Sequence, residues 1–298
     1  MIIVQVAGGL GNQLQQYALY RKFVSIGKEA KLDISWFEEK NQEKLSAGRK
    51  LELAYLKGVV YEACSPAEKR ALVGGKGIPG KLRRKLFPST IRLFQERGIF
   101  HPELLSFHNM YISGYFACEK YYADILGDLR SQIRFPEGGN PLNQIYAGEM
   151  AKCGSVSIHV RRGDYLDGIN KEMFGNICTE AYYGQAVEML KKEIPKAHFY
   201  VFSDDISYVK ERYQGEEFTV VDINHGRDSF YDIWLMSRCK HNICANSTFS
   251  FWGARLNGNP DKIMVRPAIH KNSQTFVKAE MEGLWPGWRF IDSQGKIQ

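Results

Sequence analysis

The chain reads as an α/β protein of two domains, each built on a parallel sheet. Three observations predict this. From residue 155 onward, short apolar runs alternate with helical stretches, the pattern that places helices on both faces of a parallel sheet. The amino terminus opens the same way, with an apolar run, a glycine-rich turn and a helical stretch. With 298 residues, of which 44% are hydrophobic and 13% aromatic, the chain can bury two cores of ordinary size.

Taken in order, residues 2–6 form a first strand, 7–12 a glycine-rich turn and 13–25 an amphipathic helix. Residues 31–35 offer a second strand, and the stretch 40–110 carries few periodic signals. Strand character returns at 110–115, followed by a helix over 119–132. The polar, breaker-rich run Gly138-Gly139-Asn140-Pro141 is the best linker, so the domains are set at 1–140 and 141–298. The C-terminal tail is left free to fold back on the first domain. In the second half, strands are expected at 155–160, 198–202, 218–221, 241–245 and 262–265, the last of the series. Helices are expected at 179–193, 206–213, 229–238 and 247–256, the first of them stopped by Pro195.

No apolar stretch approaches the length of a membrane span and no signal-peptide pattern opens the chain, so a soluble cytoplasmic protein is expected. Six cysteines lie scattered without a C-x-x-C pair, which points to reduced thiols rather than a zinc knuckle or disulfide framework. Cys239, His241 and Cys244 are close in sequence, yet on a strand Cys244 faces away from the other two, and a core role is expected. The net charge of +7 is concentrated: residues 70–97 hold eight Lys or Arg and one acidic residue, Glu96. Such a segment suits an anionic membrane, an acidic glycan or a solvated loop. Phe87 and Phe94 alone make no base-stacking platform, so nucleic acid is not expected.

The run Ser155-Val-Ser-Ile-His159-Val-Arg161-Arg162-Gly163-Asp164-Tyr165 carries the densest chemistry. It predicts a buried strand that ends in two guanidiniums, whose planar forks match phosphate oxygens. The alternative is an arginine pair held in salt bridges with Asp164 and solvent. Gly8-Gly9-Leu10-Gly11-Asn12-Gln13 joins a strand to a helix, where backbone N–H groups can approach an anion. It matches neither the dinucleotide fingerprint nor a P-loop. Asn246-Ser247-Thr248 precedes a helix and offers either a cap or a diphosphate cradle. Ser203-Asp204-Asp205 can hold a hydrated divalent metal, cap the next helix or read ribose and base donors; the non-metal roles are favoured because arginines already supply positive charge.

Read in order, five motifs resemble the bacterial α-1,2-fucosyltransferases of glycosyltransferase family 11. They are Gly8-Gly9-Leu10-Gly11-Asn12-Gln13-Leu14, Gln16-Tyr17-Ala18, His159-Val160-Arg161-Arg162-Gly163-Asp164-Tyr165, Phe202-Ser203-Asp204-Asp205 and Asn246-Ser247-Thr248-Phe249-Ser250. The resemblance spans nearly the whole chain and is weakest over 40–110. Gln15 stands where the first motif usually has Phe, and Phe251 where a Trp pair would follow the serine.

The resemblance implies a GT-B fold, two Rossmann-type domains with parallel sheets facing a cleft. It implies a metal-independent, inverting transfer of L-fucose from GDP-β-L-fucose to the 2-hydroxyl of a terminal β-galactoside, with no cofactor beyond that donor. Under this reading the first domain serves the acceptor and the second the GDP-fucose. Arg161 carries catalysis at the departing diphosphate, aided by His159, with Asn12 closing over the diphosphate or fucose. Gly11, Arg162, Asp164, Asp204, Asp232, Asn246, Ser247 and Thr248 contact the donor; for Asp232 the alternative is a local cap or pair. Asp33, His225 and Glu119 remain open as the base. Two alternatives stand beside this: a transferase with the same donor and another linkage, and a non-catalytic glycan-binding protein. Residues 70–97 are expected to bring the protein peripherally to an anionic inner membrane.

Overall fold

The computed structural model describes residues 1–38, 48–75, 77–137 and 139–298; Lys76 of the basic segment and Gly138 of the expected linker lie outside these. The chain divides into two compact units, Met1–Arg134 and Phe135–Gln298. The division falls just before the expected linker. There Gly139 adopts φ +76°, and a Cβ would come within 2.6 Å of the Tyr231 ring, so only glycine fits.

The first unit runs β1 (Ile2–Gln5), α1 (Leu10–Ser25), β2 (Ala30–Asp33), α2 (Pro66–Val73), α3 (Gly77–Leu86), β3 (Leu93–Gln95), β4 (Met110–Ser113) and α4 (Leu126–Gln132). Its strands form one sheet in the order β2-β1-β4-β3, every pair parallel. The helix expected at 13–25 begins earlier, so Gly11 and Asn12 lie in its first turn rather than in the preceding loop. Nor is it amphipathic: Gln13, Gln15 and Gln16 are as buried as Leu14 and Tyr17.

Those glutamines are buried because each satisfies stray backbone groups. Gln13 donates to the carbonyls of Gly8 and Lys50, both at 2.9 Å, and accepts the Leu53 N–H. Gln16 accepts the Ala7 N–H at 2.9 Å and donates to the Gly114 carbonyl at 2.8 Å. Gln15, the departure from the usual Phe, donates to the Tyr115 carbonyl at 2.9 Å. The amide trio thus ties the segments following β1 and β4 to one helix.

The helix expected over 119–132 is broken. Two single 3-10 turns, Glu119–Tyr121 and Ala123–Ile125, precede α4, because Tyr122 between them adopts φ −141°, outside the helical region.

The second unit contains α5 (Leu142–Lys152), β5 (Gly154–Val160), α6 (Gly168–Phe174), α7 (Glu180–Glu193), β6 (Ala197–Ser203), α8 (Ile206–Arg212), β7 (Phe218–Val220), α9 (Tyr231–Arg238), β8 (His241–Ile243), α10 (Thr248–Leu256), β9 (Met264–Pro267), α11 (Lys278–Leu284) and β10 (Trp288–Ile291). The six strands run parallel in the order β10-β9-β8-β5-β6-β7. The strand near 262–265 is therefore not the last. β10 follows it after α11, and only parallel pairing with β9 turns those four residues behind Gly287 into a strand.

Side chains of β5 alternate between two layers. Val156, Ile158 and Val160 meet Tyr182, Ala186 and Leu190 of α7 in the apolar core. Ser157 faces the other way and accepts from Asn242 of β8 at 2.7 Å, and Asn242 also donates to the Met236 carbonyl of α9. Helix α9 lies close against α10, where a Cβ on Gly253 would come within 2.7 Å of Met236 Cβ.

Candidate active site

The strand order of the second unit reverses between β5 and β8: β6 and β7 extend the sheet on one side of β5, and the chain then returns to lay β8 on the other. At such a reversal the loops following the two strands diverge and leave a crevice at their carboxyl ends, where α/β proteins bind ligands. Arg161 and Arg162 follow β5, Asn246, Ser247 and Thr248 follow β8, and Asp204 and Asp205 follow β6.

Arg161 is held by two carboxylates. Its Nη2 lies 2.6 Å from Asp164 and its Nη1 2.8 Å from Asp204. The other Asp204 oxygen accepts the Arg162 backbone N–H at 2.9 Å. This closeness requires Gly163, on which a Cβ would stand 2.4 Å from Asp204 Oδ2. Arg162 points elsewhere. Its Nε reaches Asp205 at 3.0 Å and its guanidinium stacks 3.8 Å above the Tyr208 ring. Asp205 also accepts the Tyr208 N–H and so caps α8, and the Arg162 bond draws its carboxyl below the usual range. Of the roles open to the Asp204-Asp205 pair, the structure displays ion pairing and helix capping. The two guanidiniums do not converge on one point; each holds its own acidic partners.

His159 is buried at the end of β5 beside Phe249, and its Nδ1 has no hydrogen-bond partner among the described residues. Burial, and then the nearby Arg161 charge, push its pKa down to about 3, so at neutral pH the ring acts as an uncharged hydrogen-bonding group.

Asn246 spends its side chain on the scaffold. The amide donates to the Phe174 and His270 carbonyls at 3.0 and 3.1 Å, and its oxygen accepts from Cys178. The Asn246 carbonyl receives the Tyr165 hydroxyl at 3.2 Å, and the Tyr165 ring lies 5.6 Å from the Arg161 guanidinium. Ser247 occupies the cap position of α10, but its hydroxyl makes no capping bond; Thr248 begins the helix. The expected side-chain cap from Ser247 is therefore absent.

Asp232 lies in the first turn of α9 and accepts from Asn224 at 2.8 Å, while Asn224 and Asn143 exchange a reciprocal amide pair, each bond 2.8 Å. The Asp232 carboxyl is raised to about 7, chiefly by burial, with the Asn224 bond opposing the rise and Asp222 adding to it. The sequence offered no sign of Asn143 and Asn224, which come together only through the fold. Tyr165 and Tyr208 were also missed as partners of the arginines, although their spacings from Arg161 and Asp205 put them within one turn.

In the first unit, Gly8 adopts φ +82°, and a Cβ there would lie 2.7 Å from Asn12 Nδ2. The amino terminus of α1, read as an anion site, receives an internal carboxylate: Glu52 accepts the Leu10 N–H. Of the residues open as a base, Asp33 is buried and bound by Lys69 at 2.6 Å and Tyr111 at 2.5 Å. Burial pushes its carboxyl up, but the bonds from Lys69, Tyr111 and Ser35 outweigh this and leave it lowered, so it is a poor proton acceptor. His225 is exposed beside Asp222, and Glu119 is buried. Among the described residues no group of three or more His, Cys, Asp or Glu forms a cation cage, and the expected core placement of Cys239 and Cys244 holds. All six cysteines are free. No described helix is long and apolar enough to cross a membrane.

A doubly wound parallel sheet with arginines at its reversal point has the layout of a ligand-binding α/β enzyme. The family model for glycosyl transferase family 11 matches residues 101–292, the larger part of the chain. The protein belongs to glycosyl transferase family 11.

It is similar to the alpha-1,2-colitosyltransferase of Escherichia coli, with 29% identity over 283 residues covering 90% of this chain and 91% of the relative. The O-antigen biosynthesis glycosyltransferase WbnK of Escherichia coli is 27% identical, over 88% and 92% of the two chains. Galactoside alpha-(1,2)-fucosyltransferase 1 of Pan troglodytes is 31% identical over 146 residues, 44% of this chain and 40% of that one. Among solved structures, fucosyltransferase NodZ from Bradyrhizobium shows 13% identity and a TM-score of 0.44, covering 85% of this chain and 90% of that one.

Proposed function

We propose that the protein transfers L-fucose from GDP-β-L-fucose, with inversion, to the 2-hydroxyl of a terminal β-galactoside in a glycan. The observation that carries this reading is the Arg161 fork at the carboxyl end of β5, fixed from both sides by Asp164 and Asp204. Its support is membership of glycosyl transferase family 11 and relatives named for α-1,2 transfer.

In such a displacement the acceptor oxygen forms a bond to the sugar's anomeric carbon as the bond to the diphosphate breaks. Negative charge grows on the departing diphosphate, and donors already aimed there stabilise the transition state more than the ground state. Arg161 exchanges its carboxylate partners for phosphate oxygens in this role, with the α10 amino terminus and Ser247 beside it. Neutral His159 contributes a hydrogen bond rather than charge. Arg162, Asp164, Asp204 and Asp232 orient the nucleotide sugar, and Asn246 acts as a positioning residue. Asn12 closes over the diphosphate or the fucose, Gly11 contacts the donor, and the rest of the first unit serves the acceptor. Arginine charge takes the place a divalent metal would fill: Arg161 faces the diphosphate while Arg162 stays paired with Asp205.

A second reading is favoured by one observation: the colitosyltransferase aligns over 90% of this chain, whereas the Pan troglodytes galactoside fucosyltransferase covers 44%. It assigns the same chemistry with a colitosyl donor.

The test is GDP release in EDTA from GDP-L-fucose and from GDP-L-colitose, against lactose and both N-acetyllactosamine types. Acceptor-dependent release with an α-1,2 product by NMR supports the proposal and selects the donor. Release that requires added metal, or a different linkage, overturns it. Tight GDP binding without turnover on any acceptor favours a glycan-binding role.

A further inference from the structure

Four large apolar side chains cluster on one short segment of the first unit. Ile78, Leu82 and Leu86 of α3 and the adjoining Phe87 are 81%, 53%, 57% and 59% exposed. Residues four apart fall about 40° apart around a helix, so Ile78, Leu82 and Leu86 make one stripe about 80° wide. Gly80 marks the opposite side. It is buried, and a Cβ there would meet the Gly75 carbonyl at 1.7 Å. The helix is thus pressed inward at Gly80 and carries its apolar stripe outward.

The basic residues divide into two sets. Arg83 and Arg84 are structural: Arg83 donates to the Arg70, Ala71 and Thr90 carbonyls at 3.1, 2.9 and 3.3 Å, and Arg84 to the Gly75 carbonyl at 3.0 Å. Lys81 and Lys85 flank the stripe and form no ion pair among the described residues. Glu96, the one acidic residue of segment 70–97, is turned to the Tyr115 and Phe116 N–H groups at 2.7 and 2.9 Å. The surface is therefore apolar and cationic, with its carboxylate occupied elsewhere.

We propose that α3 is an interfacial helix that docks the protein on an anionic lipid bilayer. Charge complementarity selects the occupant. A purely apolar partner would leave Lys81 and Lys85 without counter-charge, whereas a bilayer surface offers acyl chains to the stripe and phosphate headgroups to the lysines flanking it. The ten-residue helix lies in the membrane plane rather than across it, so attachment is reversible. The inference is independent of the donor and acceptor proposed above.

The test is flotation of the full chain with vesicles of phosphatidylcholine alone and of equal parts phosphatidylcholine and phosphatidylglycerol. Binding is expected only to the anionic vesicles, weakened by salt. Lys81→Gln and Lys85→Gln should each reduce partitioning about fivefold, the effect of one basic residue at such a surface. Ile78→Asp combined with Leu82→Asp should abolish it without changing the thermal melt, since both side chains are exposed. Absence of binding to anionic vesicles overturns the proposal, as does equal binding by the doubly substituted chain. So does a concentration-dependent dimer in light scattering that the double substitution dissociates while vesicle binding persists.

Discussion

Asp204 Oδ2 lies 2.8 Å from Nη1 of Arg161. Together with Asp164 on the other side of the fork, it fixes the direction of a guanidinium that would otherwise sample several rotamers. An arginine held in this way loses little entropy on meeting phosphate, while the ligand must displace two carboxylates to reach it.

Replacing Arg161 by Ala should lower turnover in the GDP-release assay by about 100-fold or more while the fold is retained, the scale of one transition-state donor. Lysine should restore only part of this, because the bidentate geometry is lost. Near-normal turnover in the Ala variant would remove Arg161 from the mechanism.

Gly163→Ala tests the same geometry without touching a charge. The added methyl overlaps Asp204 Oδ2, so the carboxylate must leave Arg161. Turnover should fall on the order of 10- to 100-fold, with the loss reduced when Asp204→Ala is combined with it. Equal losses in both backgrounds would mean that the methyl acts through something other than Asp204.

Asp232 links stability to pH. Its carboxyl titrates at about 7 in the folded chain, raised chiefly by burial, against about 3.9 when unfolded. The folded state therefore holds a proton that the unfolded state has released, and stability from this group is lost as pH rises from the unfolded value through about 7. Asp232→Asn should be more stable than the parent by up to about 4 kcal/mol at about pH 8.5, with the gap closing near about pH 4. Urea denaturation at the two pH values measures it; a gap that widens in acid would contradict the assigned burial.

Gln16→Leu preserves size but removes the partners of the Ala7 N–H and the Gly114 carbonyl. Two orphaned backbone groups should cost about 2–4 kcal/mol, read as a lower denaturation midpoint at unchanged slope. A loss below about 0.5 kcal/mol would mean that water replaces the amide.

The second unit was largely legible because its strands are apolar runs bounded by breakers, and its helices are long enough to show a period. Thr179, expected to open a helix, does cap α7. The first unit was less so: β3 is three half-exposed residues that become a strand only through pairing with β4. Helix α1 was placed but misread, since its buried glutamines mimic a polar face until their backbone partners are known. At the site, residue types at strand ends were legible and their partners were not. Asp232 bonds to Asn224, which pairs with Asn143 from 81 residues away, a closeness that no local pattern encodes.

The reversal of strand order also bears on when the site can exist during synthesis. Strands β5, β6 and β7 are neighbours both in sequence and in the sheet, so they can assemble as they emerge. Tyr165, beside Arg161, waits for a carbonyl 81 residues further on. A nascent chain released before β8 would keep the arginine-bearing strand and half a sheet, yet lack Asn246 and the brace it gives the loops. Transfer competence would then be among the last properties the growing chain acquires, and prematurely released chains would be inert.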